Sequence, residues 1–205
     1  MKYFITGIGT DVGKTIVSAI FTEALQADYW KPIQAGDLHN SDANKIKNLI
    51  TNQKTIIHNN SYALKTPASP HYAAELDNVT INLSNIIEPK TNNHLIIEGA
   101  GGIFVPINNS KTILDIIKPK YKVIIVSRHY LGSINHTLLT IDALKNRNIK
   151  VAGIVFNGNE NKATESVIKN LGNIKIIGRI EDEPYFDKTV IKYYAEKLLT
   201  EIENI

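Results

Sequence analysis

The sequence predicts an α/β protein with a doubly wound, mainly parallel sheet and helices on both faces, in a single domain over residues 1–205. Three observations lead there. Short apolar runs of strand length alternate with segments of helical periodicity, several runs end in glycine-rich or functional-looking polar residues, and no linker or internal repeat divides the chain. Its 205 residues, 43% of them hydrophobic, suffice for one substantial core.

The first run, Tyr3-Phe4-Ile5, leads into Gly7-Ile8-Gly9-Thr10-Asp11-Val12-Gly13-Lys14-Thr15; Ile16, Val17, Ala19, Ile20, Ala24 and Leu25 then recur at helical spacing. Strand, glycine loop and helix in that order make a phosphate-binding loop. Glycines let backbone N–H groups converge on phosphate oxygens, and the new helix adds the positive end of its dipole. Lys14 supplies a point charge for the outer phosphates, and the Thr15 hydroxyl is a ligand for Mg²⁺. Gly7 stands six positions before Gly13, one more than the general Gly-x-x-x-x-Gly-Lys-Thr pattern has.

Tyr29 to Ile33 reads as the next strand, carrying Lys31 and Pro32 and broken by Gly36-Asp37. A lysine at the carboxyl end of a parallel strand points toward the ligand crevice of an open sheet. Ser41 is placed to cap a helix through Ile46, Leu49 and Ile50, with Asp42 in its first turn. There Asp42 either complements the helix dipole or faces a magnesium-nucleotide site. Residues 51–68 read as polar and irregular. Pro67 and Pro70 stiffen a loop entering a helix that Ser69 is placed to cap, and His71 alone reads as structural or exposed.

His94 to Gly102 reads as a strand ending in Glu98 and followed by the flexible turn Gly99-Ala100-Gly101-Gly102. An acid at the tip of a buried strand is where a nucleotide-binding sheet keeps a Mg²⁺ carboxylate. Tyr121 to Ser127 is a β-branched strand, followed from Leu131 by a helix to about Lys145. Val151 to Phe156 forms a strand ending at Asn157-Gly158, and Ile174 to Ile177 the last one, near Gly178. The segment from Tyr185 to Ile202 is an amphipathic helix for packing on the sheet.

A formal charge of +3 and a pI near 8.9 come from scattered lysines, so no dedicated nucleic-acid surface is expected. The absence of cysteine excludes disulfides and thiolate chemistry and suits a reducing compartment. Met1-Lys2 runs directly into the first strand with no long apolar stretch, so the expectation is a soluble cytoplasmic protein with no membrane partner.

Taken together, Gly7 to Thr15, Lys31-Pro32-Ile33-Gln34, Ser41-Asp42, Ser69-Pro70-His71-Tyr72-Ala73-Ala74, Glu98-Gly99-Ala100-Gly101-Gly102, Gly132-Ser133-Ile134-Asn135-His136 and Asn157 resemble the dethiobiotin synthetase family. The resemblance runs from the first strand to about Gly178. It implies a P-loop fold and a homodimer with the substrate site at the subunit interface. It also implies closure of a ureido ring from 7,8-diaminononanoate, CO₂ and MgATP through a carbamate and a carbamic-phosphoric anhydride. Lys31 and Lys14 are the implied catalytic residues. Asp11, Val12, Gly13, Lys14, Thr15 and Ile16 match the phosphate cradle, with Gly99, Ala100 and Gly101 as further nucleotide contacts. Thr15, Asp42 and Glu98 match the Mg²⁺ ligands, and Asn157 the reader of adenine. Ala35, Ser69, Pro70 and His71 match the surroundings of the diamine; Ser133, Ile134 and Asn135 match the receiver of its carboxylate across the interface.

Two departures stand out. Ala35 replaces a usual Ser or Thr, and Gly178-Arg179-Ile180-Glu181-Asp182 lacks the proline often found after this glycine, which leaves the adenine contacts there open. A partition or cell-division ATPase would carry a second lysine early in the loop, where this chain has Gly9. An amide ligase fed by a cysteine-dependent glutaminase domain is excluded by composition.

Overall fold

The computed structural model describes all 205 residues. Its centre is β1 (Lys2–Gly7), where Tyr3, Phe4 and Ile5 are fully buried because helices cover both sheet faces. The chain continues through α1 (Lys14–Leu25), β2 (Asp28–Trp30), β3 (Ile33–Ala35) and α2 (Asp42–Leu49). Next come β4 (Ile57–His58), β5 (Tyr62–Leu64), α3 (Pro70–Leu76) and β6 (Leu95–Gly102). The second half holds β7 (Lys122–Arg128), α4 (Ser133–Asn146), β8 (Val151–Asn157), α5 (Lys162–Gly172), β9 (Ile176–Ile180) and α6 (Lys188–Glu203).

Seven strands form one parallel sheet in the order β4-β2-β6-β1-β7-β8-β9. From β1 the chain crosses to β2 on one side, and from β7 it crosses to β8 on the other. Right-handed crossovers therefore put α1 and α4 on opposite faces. α6 and α2 pack with α1, and α5 packs with α4. Adjacent strands whose connections diverge open a crevice at their carboxyl ends, and the loop after β1 lies there. No helix is long and apolar enough to cross a membrane.

Four local expectations are corrected. The run Tyr29 to Ile33 is not one strand, because Pro32 has no N–H for the ladder; β2 stops at Trp30, and β3 leaves to pair with β5 in a separate two-stranded sheet. Residues 51–68 are not wholly irregular, since they contain β4 and β5, too short to show a period. β6 does not end at Glu98 but continues through the glycines to Gly102, which pairs with Gly7 across a register shift. The last strand is Ile176–Ile180, past Gly178 rather than ending near it. Helix α5 was not anticipated at all.

Candidate active site

The loop between β1 and α1 is shaped by its glycines. A Cβ on Gly7 would lie 2.6 Å from Val12 Cγ2 and 2.8 Å from the Gly9 carbonyl oxygen, so only glycine lets the loop wrap this tightly. Gly13 has φ +96°, and a Cβ there would meet Asn157 Nδ2 at 2.3 Å. Asn157, at the end of β8, donates from that nitrogen to the Val12 carbonyl at 3.0 Å. Lys14 arches back over the loop and donates to the Gly9 carbonyl at 2.8 Å. Burial pushes its pKa down to about 8; Glu98 opposes the shift and Lys31 adds to it.

Beside the loop, three elements converge on Glu98 of β6, which is 1% exposed. Thr15 at the start of α1 donates to Oε1 at 2.9 Å, and Tyr29 on β2 donates to Oε2 at 2.8 Å. Lys31, just past β2, pairs with Glu98 Oε1 at 3.2 Å and also with Asp42 at the start of α2. Burial works against the Lys31 charge, but Glu98 and Asp42 together outweigh it and hold its pKa above the usual lysine value. Burial likewise disfavours the Asp42 carboxylate, and Lys31 outweighs it, so its pKa is lowered. Asp42 is held by its surroundings: the Ser41 hydroxyl accepts from Asn44 N at 3.3 Å, and Asp42 N donates to Gln34 Oε1 at 3.3 Å.

These groups open into one cavity of about 950 Å³, large enough for a nucleotide and a second small molecule. Asp11, Gly13, Lys14, Thr15 and Ile16 line it, with Lys31, Asp42, Glu98, Ala100 and Gly101. Ala35, Ser69 and Pro70 also line it. Val12, Gly99 and Asn157 are buried beside it, and none is among its lining residues. His71 is turned to Ser69, with Nδ1 at 3.1 Å from its hydroxyl, so Ser69 forms no side-chain cap for α3. Ser133, Ile134 and Asn135 lie at the start of α4, outside the lining; Ser133 is buried, and Asn135 is exposed. Sequence reasoning missed Tyr29, Gln34, Lys45 and Phe186. Only Gln34 had a signal, its place beside Lys31 in the quoted motif.

The arrangement gathers two lysines, a hydroxyl and two carboxylates around one point beside a glycine-rich loop and a helix N-terminus. Such a set binds phosphates, and its hard oxygen donors suit a divalent cation.

Comparison with known proteins narrows this chemistry. A family model described as an AAA domain matches residues 1–189. The chain is 60% identical to the ATP-dependent dethiobiotin synthetase BioD of Christiangramia forsetii over 196 residues, covering 96% of this chain and 95% of the relative. It is 52% identical to BioD of Cytophaga hutchinsonii over 199 residues, covering 96% of each. Among solved structures, the MinC:MinD cell division complex of Aquifex aeolicus matches with a TM-score of 0.62 at 15% identity, covering 99% of this chain and 93% of that one. MinD of Pyrococcus horikoshii with Mg-ADP matches with a TM-score of 0.59 at 11% identity, covering 98% and 94%. The solved structures share the fold alone, whereas the sequence relatives match over nearly the whole length at 44–60% identity: the chain belongs to the ATP-dependent dethiobiotin synthetase family.

Proposed function

We propose that residues 1–205 form one catalytic domain that closes the ureido ring of dethiobiotin from 7,8-diaminononanoate, CO₂ and MgATP, releasing ADP and phosphate. The observation that carries this reading is the meeting of Thr15, Lys31, Asp42 and Glu98, from four separate elements, beside Lys14. One substrate amine captures CO₂ as a carbamate. A carbamate oxygen attacks the γ-phosphorus of ATP, forming a carbamic-phosphoric anhydride and expelling ADP. The second amine then attacks the carbonyl carbon, closes the ring and expels phosphate.

The reactants are both anions, and holding them in line is the protein's main task. Lys14 neutralises the outer phosphates from the loop side. Lys31, kept charged by Glu98 and Asp42, faces the transferring phosphoryl group and the carbamate, where preorganised positive charge is most effective. Tyr29 fixes the Glu98 carboxylate, and Gln34 fixes the start of α2 and hence Asp42.

The donor set fits magnesium. Glu98 Oε1 and an Asp42 oxygen touch the same Lys31 nitrogen, and Thr15 Oγ1 lies 2.9 Å from Glu98 Oε1, so three hard oxygens share one neighbourhood. Thr15, Asp42 and Glu98 would hold the ion, which supplies charge withdrawal from the phosphates.

The working form is a cytoplasmic homodimer. Ser133, Ile134 and Asn135 lie away from the lining of their own cavity, and the adjoining Leu131 is fully exposed, with Tyr130 and Leu139 exposed nearby. A partner's α4 N-terminus covering the diamine end would bury these side chains and aim its N–H groups at the substrate carboxylate. Purified protein with MgATP, bicarbonate and the diamine releases ADP and phosphate only when the diamine is present. Diamine-independent hydrolysis stimulated by DNA or lipid would instead favour a switch ATPase.

A further inference from the structure

We propose that Phe186 is the aromatic wall of the nucleobase subsite and supplies the stacking part of nucleotide affinity. The inference rests on reading the cavity as the ATP site and adds the residue that recognises the base.

The direction of the bound nucleotide follows from the cavity. Lys31, Asp42 and Glu98 mark the side of the terminal phosphate. The phosphate chain runs back across Gly13 to Thr15, which delivers the nucleoside beside Ile16, the next residue of α1 and part of the lining. Phe186 belongs to the same lining. It arrives from the loop between the edge strand β9 and α6, the helix that packs on α1, whose first turn carries Lys14, Thr15 and Ile16. Phe186 is partly buried, packed against the core yet still open to the cavity. A flat apolar ring in the same cavity lining as Ile16 offers a face on which a heterocyclic base stacks.

The loop that carries Phe186 is anchored at both ends. Arg128 Nη2 pairs with Asp182 Oδ1 at 2.8 Å. The Tyr194 hydroxyl accepts from Glu181 N at 3.1 Å and donates to Glu183 Oε1 at 2.6 Å. Asp187 then caps α6, accepting from Val190 N at 2.9 Å. The ring is thus held in place before any ligand arrives, which lowers the ordering cost of stacking. These anchors lie in the segment that lacks the usual proline, so this chain meets the base by different means.

Phe186 also stands just before the cap, four residues ahead of the partly buried Val190 and five ahead of the buried Ile191, where an apolar residue staples a helix start. Leucine keeps such packing and loses the aromatic face, so Phe186→Leu separates the two roles. Calorimetry with ADP, CDP and pyrophosphate on wild type, Phe186→Ala and Phe186→Leu tests the assignment. Base–aromatic stacking predicts about a tenfold loss of ADP affinity for Phe186→Ala and a smaller loss for Phe186→Leu. Pyrophosphate affinity stays within about twofold in both, and CDP loses affinity alongside ADP. Unchanged ADP affinity, or an equal loss for ADP and pyrophosphate, overturns the assignment. No diamine enters the measurement, so either result leaves the ring-closing reading to be judged by its own assay.

Discussion

Replacing Lys31 by glutamine tests the centre of the site on two independent readouts. The Lys31 nitrogen lies 3.2 Å from Glu98 and also touches Asp42, and Lys31 and Glu98 are 6% and 1% exposed. At an effective dielectric of about 20, the Lys31–Glu98 attraction alone is about 5 kcal/mol, much of it offset by desolvation of both charges. Removing one partner of a buried pair costs about 3–5 kcal/mol, because the other charge is left uncompensated. Glu98 keeps its donors from Thr15 and Tyr29, and the glutamine amide supplies one hydrogen bond, so the low end, about 3 kcal/mol, applies. For a domain of this size that lowers the melting temperature by about 6–12 °C, read by circular dichroism without ligands. On the catalytic side, loss of one preorganised donor to the transferring group lowers kcat about 10²- to 10³-fold. ADP affinity, set mainly by the loop and Lys14, changes by less than about tenfold. A melting shift below about 2 °C would show that the ion pairs do not hold the site together. Equal losses in kcat and in nucleotide affinity would show that Lys31 serves binding and not the transfer step.

Gly13→Ala forces a left-handed φ on alanine and drives its Cβ into Asn157; at about 2 kcal/mol or more, this raises the Kd for ADP at least about thirtyfold by calorimetry. Tyr29→Phe leaves buried Glu98 with one donor fewer and lowers stability by about 1.5–3 kcal/mol in urea denaturation; an unchanged midpoint would remove Tyr29 from the network. Ala35→Ser restores a hydroxyl on the cavity wall and lowers the KM for the diamine about fivefold with the KM for ATP unaltered, as one added hydrogen bond of about 1 kcal/mol predicts. Asp28 is a buried carboxylate at the opposite end of the sheet. Burial alone would raise its pKa, but donors from Thr91 at 2.6 Å, Ile56 N at 3.0 Å, and His58 and Asn93 at 3.3 Å hold it below the usual value. The unfolded chain therefore binds the Asp28 proton more readily, so this stabilisation is present above about pH 4 and is lost as pH falls through the folded-state pKa. Asp28→Asn flattens the acid limb of the stability–pH curve below pH 4, and an unaltered limb would contradict the assignment.

The parts of the fold that were legible in the sequence are those in which one short stretch carries its own physics. Gly7 to Thr15 needs only local backbone freedom and a helix start, and the buried parallel strands announce themselves as β-branched runs such as Val123 to Val126. Glu98 was legible as a site acid, but not its place in mid-strand. Glycines usually signal a turn, whereas Gly99 sits in β6 because the neighbouring chain approaches closely: a Cβ on Gly99 would lie 3.1 Å from the Phe4 ring and 3.4 Å from the Ile5 carbonyl oxygen. Tyr29 was read as strand core, which its complete burial bears out, yet its hydroxyl reaches a carboxylate 69 residues away, and no local pattern encodes that. The family resemblance implied Asn157 as the reader of adenine, and in the fold its amide nitrogen donates to the Val12 carbonyl and braces the loop. Helix α5 was missed although Asn161 caps it through a bond from Thr164 N, because residues 159–162 are polar and the apolar positions that follow are few.

The split between β2 and β3 links the fold most directly to the chemistry. Pro32 cannot donate to the main ladder, so the chain leaves the sheet at Trp30, which places Lys31 just past the strand's carboxyl end instead of within the sheet. The carbonyl of Pro32 is still used, accepting from Ser61 N at 2.9 Å and Tyr62 N at 3.0 Å, and Asn60 Nδ2 donates to the Lys31 carbonyl at 2.7 Å. These bonds start the β3–β5 pair as a flap beside the cavity. The flap is closed at Gly36, whose φ of +72° lets it abut Pro67; a Cβ there would lie 2.5 Å from the Pro67 Cα. Gln34, Ala35 and the Pro67 to Pro70 stretch therefore share one wall, and a single proline both sets the lysine in the cavity lining and builds the surface against which the diamine is proposed to lie. A Pro32→Ala exchange that let β2 run on would be expected to disturb Lys31 and this wall together, raising the KM for the diamine and lowering kcat in the same variant.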